Sequence, residues 1–283
     1  MRLPSPSIVA THLVASVALA GSARADVVVL EPVADATLIQ QEDVDPTEYA
    51  AGASQYLFAG RVANNGGGRI RRAFLRFDLA AIPAGAQVVS ASLTVTLNQA
   101  VSPAQPFELH AVGESWGEGP SNADGGSGTI ALEGDATWRK RFYPDIAWTT
   151  PGGVFDATAS SSMVADLTGP YTFPSTPALV ADVQGWLDAP ATNFGWAMLG
   201  NESVPGTVKR FVSRNSTNAS QRPKLTIEYT LPVVGDLDGN GIVNGADLGL
   251  LLGNWGGSGV GDLDGSGSVD GADIGILLGH WSS

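Results

Sequence analysis

The feature that most constrains this chain is an acidic, glycine-rich stretch that occurs twice near its end. The stretch DLDGNGIVNGADLG spans 236–249, and DLDGSGSVDGADIG follows 26 residues later at 262–275. Oxygen-bearing side chains recur at alternate positions, and glycine stands at the sixth. One such turn could arise by chance. Two in register, each followed by the same apolar pattern, indicate a repeated structural unit.

Each copy has the spacing of an EF-hand-type loop. Such a loop takes oxygen ligands from positions 1, 3, 5, 7, 9 and 12 and needs glycine at position 6 for a sharp turn. An oxygen-only donor set suits a hard cation such as calcium and does not suit zinc or copper. The sequence therefore predicts two bound Ca²⁺ ions. The predicted ligands are Asp236, Asp238, Asn240, the Ile242 carbonyl, Asn244 and Asp247 in the first loop, and Asp262, Asp264, Ser266, the Ser268 carbonyl, Asp270 and Asp273 in the second.

An amphipathic helix is predicted after each loop, because apolar residues follow the spacing i, i+3, i+4, i+7. Neither helix could bury its stripe alone, so we expect the two helices to pack against each other. Metal binding should supply much of the folding free energy of so small a unit. The stripes are Leu248, Leu251, Leu252 and Trp255 in the first helix, and Ile274, Leu277, Leu278 and Trp281 in the second.

The charge distribution favours a bound cation near the end of the chain. The 283 residues carry a formal net charge of -13, and no Lys or Arg follows Lys224. Such a local excess of carboxylate is costly unless a cation neutralises it. The acidic balance also argues against binding to nucleic acid or to an anionic membrane surface. The absence of cysteine excludes disulfides, thiolate zinc sites and cysteine nucleophiles.

Residues 1–25 have the features of an export signal. Arg2 gives a basic start, an apolar run covers 8–20, and an Ala-x-Ala cleavage pattern ends at Ala25. The run is too short to span a membrane, and no later stretch is long enough. We therefore expect cleavage after Ala25 and a secreted protein, extracellular or associated with the cell surface, without a membrane span.

Residues 26–231 are predicted to form a mainly β domain, an antiparallel sandwich of jelly-roll-like form. Apolar and polar residues alternate over 73–79 and 88–97, and Gly/Pro/Asn turns separate the short segments. One helix is predicted over 178–187. Further strands are expected at 27–30, 107–112, 194–199, 209–213 and 224–229, and long loops at 40–55 and 118–134.

The larger region resembles the DNRLRE-type family of extracellular β-sandwich modules. The resemblance rests on the order of several motifs between 26 and 230, namely ADATL from Ala34, FLRFDLAAIPAGAQVVSASLTV from Phe74, ESWGEG from Glu114, ATW from Ala136, FDAT from Phe155, VADVQGWLDAPATNFGWAML from Val180 and FVSRNSTNASQRPKLTIEY from Phe211. Some members of that family are carbohydrate-binding modules for acidic polysaccharides. The resemblance implies a β-sandwich that binds polysaccharide.

Residues 232–283 resemble a type I dockerin. They share its two loop-plus-helix repeats, aspartate at position 12 and no helix before the first loop. The resemblance implies docking to a cohesin-like or cell-surface protein. Dockerins meet their partner through loop positions 10 and 11, which are small here (Gly245-Ala246 and Gly271-Ala272), and this favours surface or assembly anchoring over a cellulosome.

A run of aromatic and basic residues is the candidate ligand site of the larger domain. Its members Trp138, Arg139, Arg141 and Tyr143 could stack on sugar rings and pair with carboxylates. The alternative is a strand with buried aromatics and solvated charges. No nucleophile, zinc-peptidase or phosphate-loop motif points to catalysis. The leading interpretation is a non-catalytic binding protein; a polysaccharide-degrading enzyme and a structural surface protein remain alternatives.

Overall fold

The computed structural model describes residues 25–41, 47–64 and 68–282. These residues form two compact units, which meet in sequence between Leu231 and Pro232. The predicted export signal lies outside the described residues except for Ala25, where the first strand begins. Within the described part, no helix is long and apolar enough to cross a membrane.

The unit that ends at Leu231 is mainly β, as predicted. Every predicted strand is present in it, and the predicted helix is α1. Its strands are β1 (Ala25–Leu30), β2 (Pro32–Ile39), β3 (Tyr49–Ala50), β4 (Tyr56–Arg61), β5 (Ile70–Phe77), β6 (Gln87–Gln99), β7 (Gln105–Ala111), β8 (Thr129–Ile130), β9 (Lys140–Phe142), β10 (Ile146–Ala147), β11 (Ser161–Ala165), β12 (Gly169–Phe173), β13 (Trp196–Leu199), β14 (Lys209–Val212) and β15 (Lys224–Thr230). The helices of the chain are α1 (Pro177–Asp188), α2 (Gly245–Gly253) and α3 (Gly271–Gly279), with short 3-10 turns at Pro190–Thr192 and Ala219–Gln221.

Eleven of the described strands form one large, curled antiparallel sheet. Its order is β1-β15-β6-β14-β4-β5-β13-β7-β11, with β12 paired to β6 and β2 paired to β5. Strand β4 joins the two halves of this sheet, β1 to β14 and β5 to β11 in the order above, because it pairs with β14 on one side and with the start of β5 on the other. The four short strands form two separate pairs, β3 with β8 and β9 with β10.

The main hydrophobic core lies inside the curl, where both halves of the sheet contribute side chains. Strand β6 alternates between buried and partly exposed residues, which is the pattern of a strand with one face in a core. Phe107 of β7 and Phe211 of β14 meet edge to face, 5.0 Å between ring centroids. Helix α1 adds Leu179, Val183 and Trp186 to this core.

A second buried cluster covers the outer face of β5. Phe74 points away from the main core and meets Trp116 and Trp148 edge on, with ring centroids 5.7 and 5.6 Å apart. Trp138 joins the same cluster. These three tryptophans belong to the segment between β7 and β11, so that segment forms an added layer over the sheet. Trp148 is 4% exposed, so it lies inside this cluster.

The two stretches predicted as long loops contact each other. Tyr49 and Ala50 of β3 pair with Ile130 and Thr129 of β8. The Ser54 hydroxyl donates to the Ala123 carbonyl at 2.8 Å, next to this pair in sequence. Both stretches are therefore held by long-range hydrogen bonds, apart from 42–46, which lie outside the described residues.

Candidate functional sites

Each acidic loop leads directly into a short helix and caps it. The side-chain oxygen of Asn244 accepts the backbone N–H of Ala246 at 2.8 Å at the start of α2. Asp270 accepts the N–H of Ala272 at 2.8 Å at the start of α3. In return, the aspartate at position 12 of each loop accepts the backbone N–H of the residue at position 9. Together these hydrogen bonds satisfy N–H groups that the start of a helix otherwise leaves without partners. The predicted position-9 ligands thus act as helix caps.

Three aspartates of each loop converge on one point. Carboxylate oxygens from positions 1, 3 and 12 lie within 4.8 Å of one another in both loops. No Lys or Arg occurs in residues 232–283 to offset them. Because three like charges repel strongly at this separation, a multivalent cation would stabilise the arrangement. The two triads are Asp236, Asp238 and Asp247, and Asp262, Asp264 and Asp273.

The position-12 aspartate of the first loop is fully buried. Asp247 Oδ1 accepts the N–H groups of Leu237 and Asp238 at 2.8 and 3.1 Å, and Oδ2 accepts that of Asn244 at 2.8 Å. Burial alone would raise the pKa of Asp247, but these backbone hydrogen bonds lower it on balance. The side chain is therefore fixed as an anion that faces positions 1 and 3.

The second loop repeats this geometry. Asp273 accepts the N–H of Asp270 at 2.7 Å and those of Leu263 and Asp264 at 2.7 and 3.2 Å. The Asp270 N–H has the largest effect and lowers the pKa of Asp273, while burial opposes it. Aspartate is shorter than the glutamate that an EF-hand loop has at position 12. Its side chain still reaches the loop, because the start of the helix lies close to the loop.

The remaining predicted ligands of the first loop lie along the same turn. Asn240 donates its backbone N–H to both Asp236 Oδ1 and Asp238 Oδ1, each at 3.1 Å. The Asn244 side-chain amide donates to the Ile242 carbonyl at 3.2 Å. That carbonyl, predicted as a ligand, therefore faces a side chain of its own loop.

The second loop places its predicted ligands in the same way. Ser266 donates its N–H to Asp262 Oδ1 at 3.0 Å and to Asp264 Oδ1 at 2.9 Å. Its hydroxyl donates to the Ser268 carbonyl at 3.2 Å. Both loops thus offer only oxygen donors, a set that fits calcium.

Gly241 at position 6 of the first loop tests this geometry by substitution. Its φ is +83°, a left-handed conformation that costs other residues about 1–2 kcal/mol, and its N–H donates to Asp236 Oδ2 at 2.7 Å. We expect Gly241→Ala to weaken calcium binding about tenfold. Gly249→Ala is the control, because Gly249 lies inside α2 with open space around it. That change should raise the free energy of unfolding by about 0.5–1 kcal/mol. Calcium titration with thermal unfolding measures both, and equal effects would contradict the loop assignment.

The core of the second unit is small and comes partly from the loops themselves. Val243, Leu251, Val269 and Leu277 are fully buried. The two repeats also exchange backbone contacts. Val269 N–H donates to the Gly257 carbonyl at 2.7 Å after α2, and Ser282 N–H donates to the Val243 carbonyl at 2.9 Å. Each loop is therefore held by the segment that follows the other repeat's helix.

The predicted apolar stripes are buried only in part, which corrects the sequence interpretation. Leu251 and Leu277 lie in the core, and Leu248 and Ile274 pack at its border. The later members of each stripe are exposed: Leu252 and Leu278 lie in the last turn of α2 and α3, outside the small core, and Trp255 and Trp281 lie beyond the helix ends at Gly253 and Gly279. The exposed fractions are 50% for Leu252, 53% for Trp255, 51% for Leu278 and 42% for Trp281.

The predicted sugar site is divided between the protein interior and its surface. Trp138 is 9% exposed and packs in the second cluster, so the stacking role predicted for its ring does not fit its burial. Arg139 Nη1 lies 3.2 Å from Glu48 Oε1. Arg141 Nη1 donates to Ser115 Oγ at 2.7 Å, and Tyr143 is half-buried. Arg139, Arg141 and Tyr143 retain partly exposed side chains.

A buried polar network joins three motifs that lie far apart in sequence. Asp35 is fully buried on β2; it accepts the Ser213 hydroxyl at 3.0 Å and the Arg214 N–H at 2.7 Å. The Arg214 guanidinium lies 3.0 and 2.9 Å from the two Glu118 oxygens. Burial raises the pKa of Asp35 to about 7; the Arg214 N–H opposes this and the Glu118 charge adds to it.

Strand β5 carries a group of arginines that sequence reasoning did not select. Arg72 binds both oxygens of Glu202 at 2.7 and 2.8 Å, and its guanidinium lies over Trp138 and Phe155. Arg76 lies over the Trp116 ring, 5.7 Å from the centroid. The signal was available, since RIRRAFLR places four arginines in eight residues from 69.

The chain was compared with protein-family models and with curated proteins, and no match was found in either comparison.

Proposed function

We propose that the chain is a secreted, non-catalytic protein of two modules. Residues 26–231 are a jelly-roll-like β-sandwich of DNRLRE type that binds extracellular, anionic polysaccharide. Residues 232–283 are a dockerin-like, calcium-binding module that docks to a cohesin-like or cell-surface protein. The observation that carries the proposal is the pair of aspartate triads, each within 4.8 Å and each joined to a capped helix.

The chemistry of the loops supports calcium as the bound metal. Each loop offers three converging carboxylates, further oxygen-bearing side chains at positions 5 and 9 and a backbone carbonyl at position 7, which suits the six to eight oxygen ligands of calcium. Bound calcium would offset the repulsion within each triad and couple each loop to the start of its helix.

The exposed apolar residues at the helix ends support docking to a partner. Trp255 and Trp281 are 53% and 42% exposed, and each follows an exposed leucine, Leu252 or Leu278, by three residues in the sequence. The exposed tryptophan and leucine occupy equivalent positions in the two repeats. Large exposed aromatic side chains are characteristic of protein interfaces.

For the polysaccharide, Arg139 directly precedes strand β9 and Arg141 lies within it; both are partly exposed and supply positive charge on an acidic protein. Guanidinium groups bind the carboxylates of uronate polymers in a two-point geometry. Glu48 orients Arg139, and Ser115 orients Arg141.

A titration of the full chain with a uronate polymer tests this site. Arg139→Ala and Arg141→Ala should each weaken binding about tenfold, since each removes a charge-assisted contact. Arg222→Ala, in an exposed pair with Glu31, is the matched control and should leave affinity unchanged. Unchanged affinity in both test variants would refute this site, and release of reducing ends would refute the non-catalytic assignment.

A further inference from the structure

A mostly apolar cavity of about 490 Å³ opens where strand β5 ends. It lies between the turn after β5 and the C-terminal end of α1. Leu79, Ile82 and Trp186 form its inner wall and are 6%, 5% and 6% exposed. This volume is typical of small-molecule sites, which combine an apolar lining with a few polar groups.

Arg76 is a charged group of this wall. Within the described ranges 25–41, 47–64 and 68–282, its guanidinium makes no ion pair or hydrogen bond, and it lies over the Trp116 ring. Arg72 and Arg214, by contrast, each form an ion pair with a glutamate. A partly buried guanidinium is a strong donor to a carboxylate, and here no carboxylate is bound to it.

Asn193 and Asp78 also line this wall, and only Asp78 keeps an accessible acceptor. The Asn193 side-chain N–H donates to the Phe77 carbonyl at 2.8 Å, while its Oδ1 is buried and accepts no hydrogen bond from a described group. Asp78, at the rim, accepts the N–H of Ala80 at 3.0 Å and keeps its second oxygen for a donor. Asp78 therefore offers an acceptor to a ligand in the cavity, whereas Asn193 Oδ1 lies out of its reach.

We propose that this cavity binds a small carboxylate with an apolar body and one hydrogen-bond donor, such as an aryl or branched-alkyl hydroxy acid. The carboxylate pairs with Arg76, the donor faces Asp78, and the apolar body contacts Trp186 and Ile82. A sugar acid does not fit, because the apolar wall would leave most of its hydroxyl groups without partners. The site is therefore separate from the polysaccharide site at Arg139 and Arg141.

Calorimetry of the full chain with 3-phenyllactate tests the proposal. Saturable binding is expected. 3-Phenyl-1,2-propanediol lacks the carboxylate and D-glucuronate lacks the apolar body, so both should bind at least about tenfold more weakly. Arg76→Gln should lower the phenyllactate affinity about tenfold, whereas Arg222→Gln, on an arginine that does not line the cavity, should not change it.

Ala80→Trp provides a second test that leaves Arg76 in place. Ala80 is exposed at the rim, so a large side chain there should obstruct the cavity without disturbing the core. Abolished binding with an unchanged thermal midpoint supports the proposal, and it does so even if Arg76→Gln fails to fold. Absence of phenyllactate binding to the wild type, equal affinity for glucuronate, or unchanged affinity in Ala80→Trp overturns it.

Discussion

Chelation of calcium from the full chain is expected to unfold residues 232–282 while the β unit stays folded. Without a cation, the three aspartates of each triad repel one another within 4.8 Å, and the four fully buried apolar side chains form too small a core to compensate. A ligand present at a thousand times its Kd stabilises the folded state by about 4 kcal/mol. Loss of that stabilisation is comparable to the whole stability of a small domain.

Far-UV circular dichroism and calorimetry should show the unfolding of the two units as two separate transitions. With calcium present, helical signal from α2 and α3 is expected; with chelator it should disappear, and excess calcium should restore it. The thermal transition of the β unit should not move. Magnesium should replace calcium poorly, because it needs a stricter octahedral geometry.

Asp247→Asn and Asp273→Asn should each impair calcium binding at one of the two loops. Each variant should therefore lose about half of the helical signal that chelation removes. An asparagine there loses one carboxylate oxygen and places an N–H₂ group against a backbone N–H donor, because both oxygens of each aspartate already accept backbone hydrogen bonds. Glu133→Gln, at an exposed position of the β unit, is the control. If chelator leaves the helical signal unchanged, the calcium assignment is wrong.

Strand β6, with one face in the core, could be predicted from its sequence, whereas strand β2, which is buried on both faces, could not. Strand β6 alternates along its length, and its sequence predicted it. Strand β2 was not among the predicted strands, because its apolar positions Ala34 and Ala36 are small residues that are depleted in strands; its polar positions Asp35 and Thr37 are buried as well. The layer that covers β2 and β5 comes from residues more than 30 positions away, which local patterns do not register.

The same limit explains why Trp138 was misplaced. An aromatic residue beside arginines has the same sequence pattern whether it lies on a surface or covers a sheet, and only the added layer decides between them. The apolar stripes show a different limit, since periodicity predicted their residues but not the helix ends at Gly253 and Gly279. The Asp35 network was missed because Asp35 and Ser213 lie 178 positions apart.

The stability of the β unit is expected to fall as pH rises from about 4 to about 7, and Asp35 is expected to be a main cause. Burial raises its folded pKa to about 7 from an ordinary value of 3.8. Between these values the folded state holds a proton that the unfolded state has released. The free energy of unfolding therefore falls by about 1.4 kcal/mol for each pH unit, or about 4 kcal/mol in all.

Asp35→Asn separates this effect from that of the other carboxylates. The amide imitates the protonated acid: its oxygen can accept the Arg214 N–H, and its N–H₂ group can donate to the Ser213 hydroxyl. We therefore expect the variant to unfold at higher denaturant concentration than the wild type at pH 8 and to lose most of its advantage at pH 4. Glu133→Gln should keep the wild-type pH dependence. Equal slopes of unfolding free energy against pH in wild type and Asp35→Asn would mean that Asp35 is ionised throughout, and that the Ser213 and Arg214 hydrogen bonds outweigh its burial.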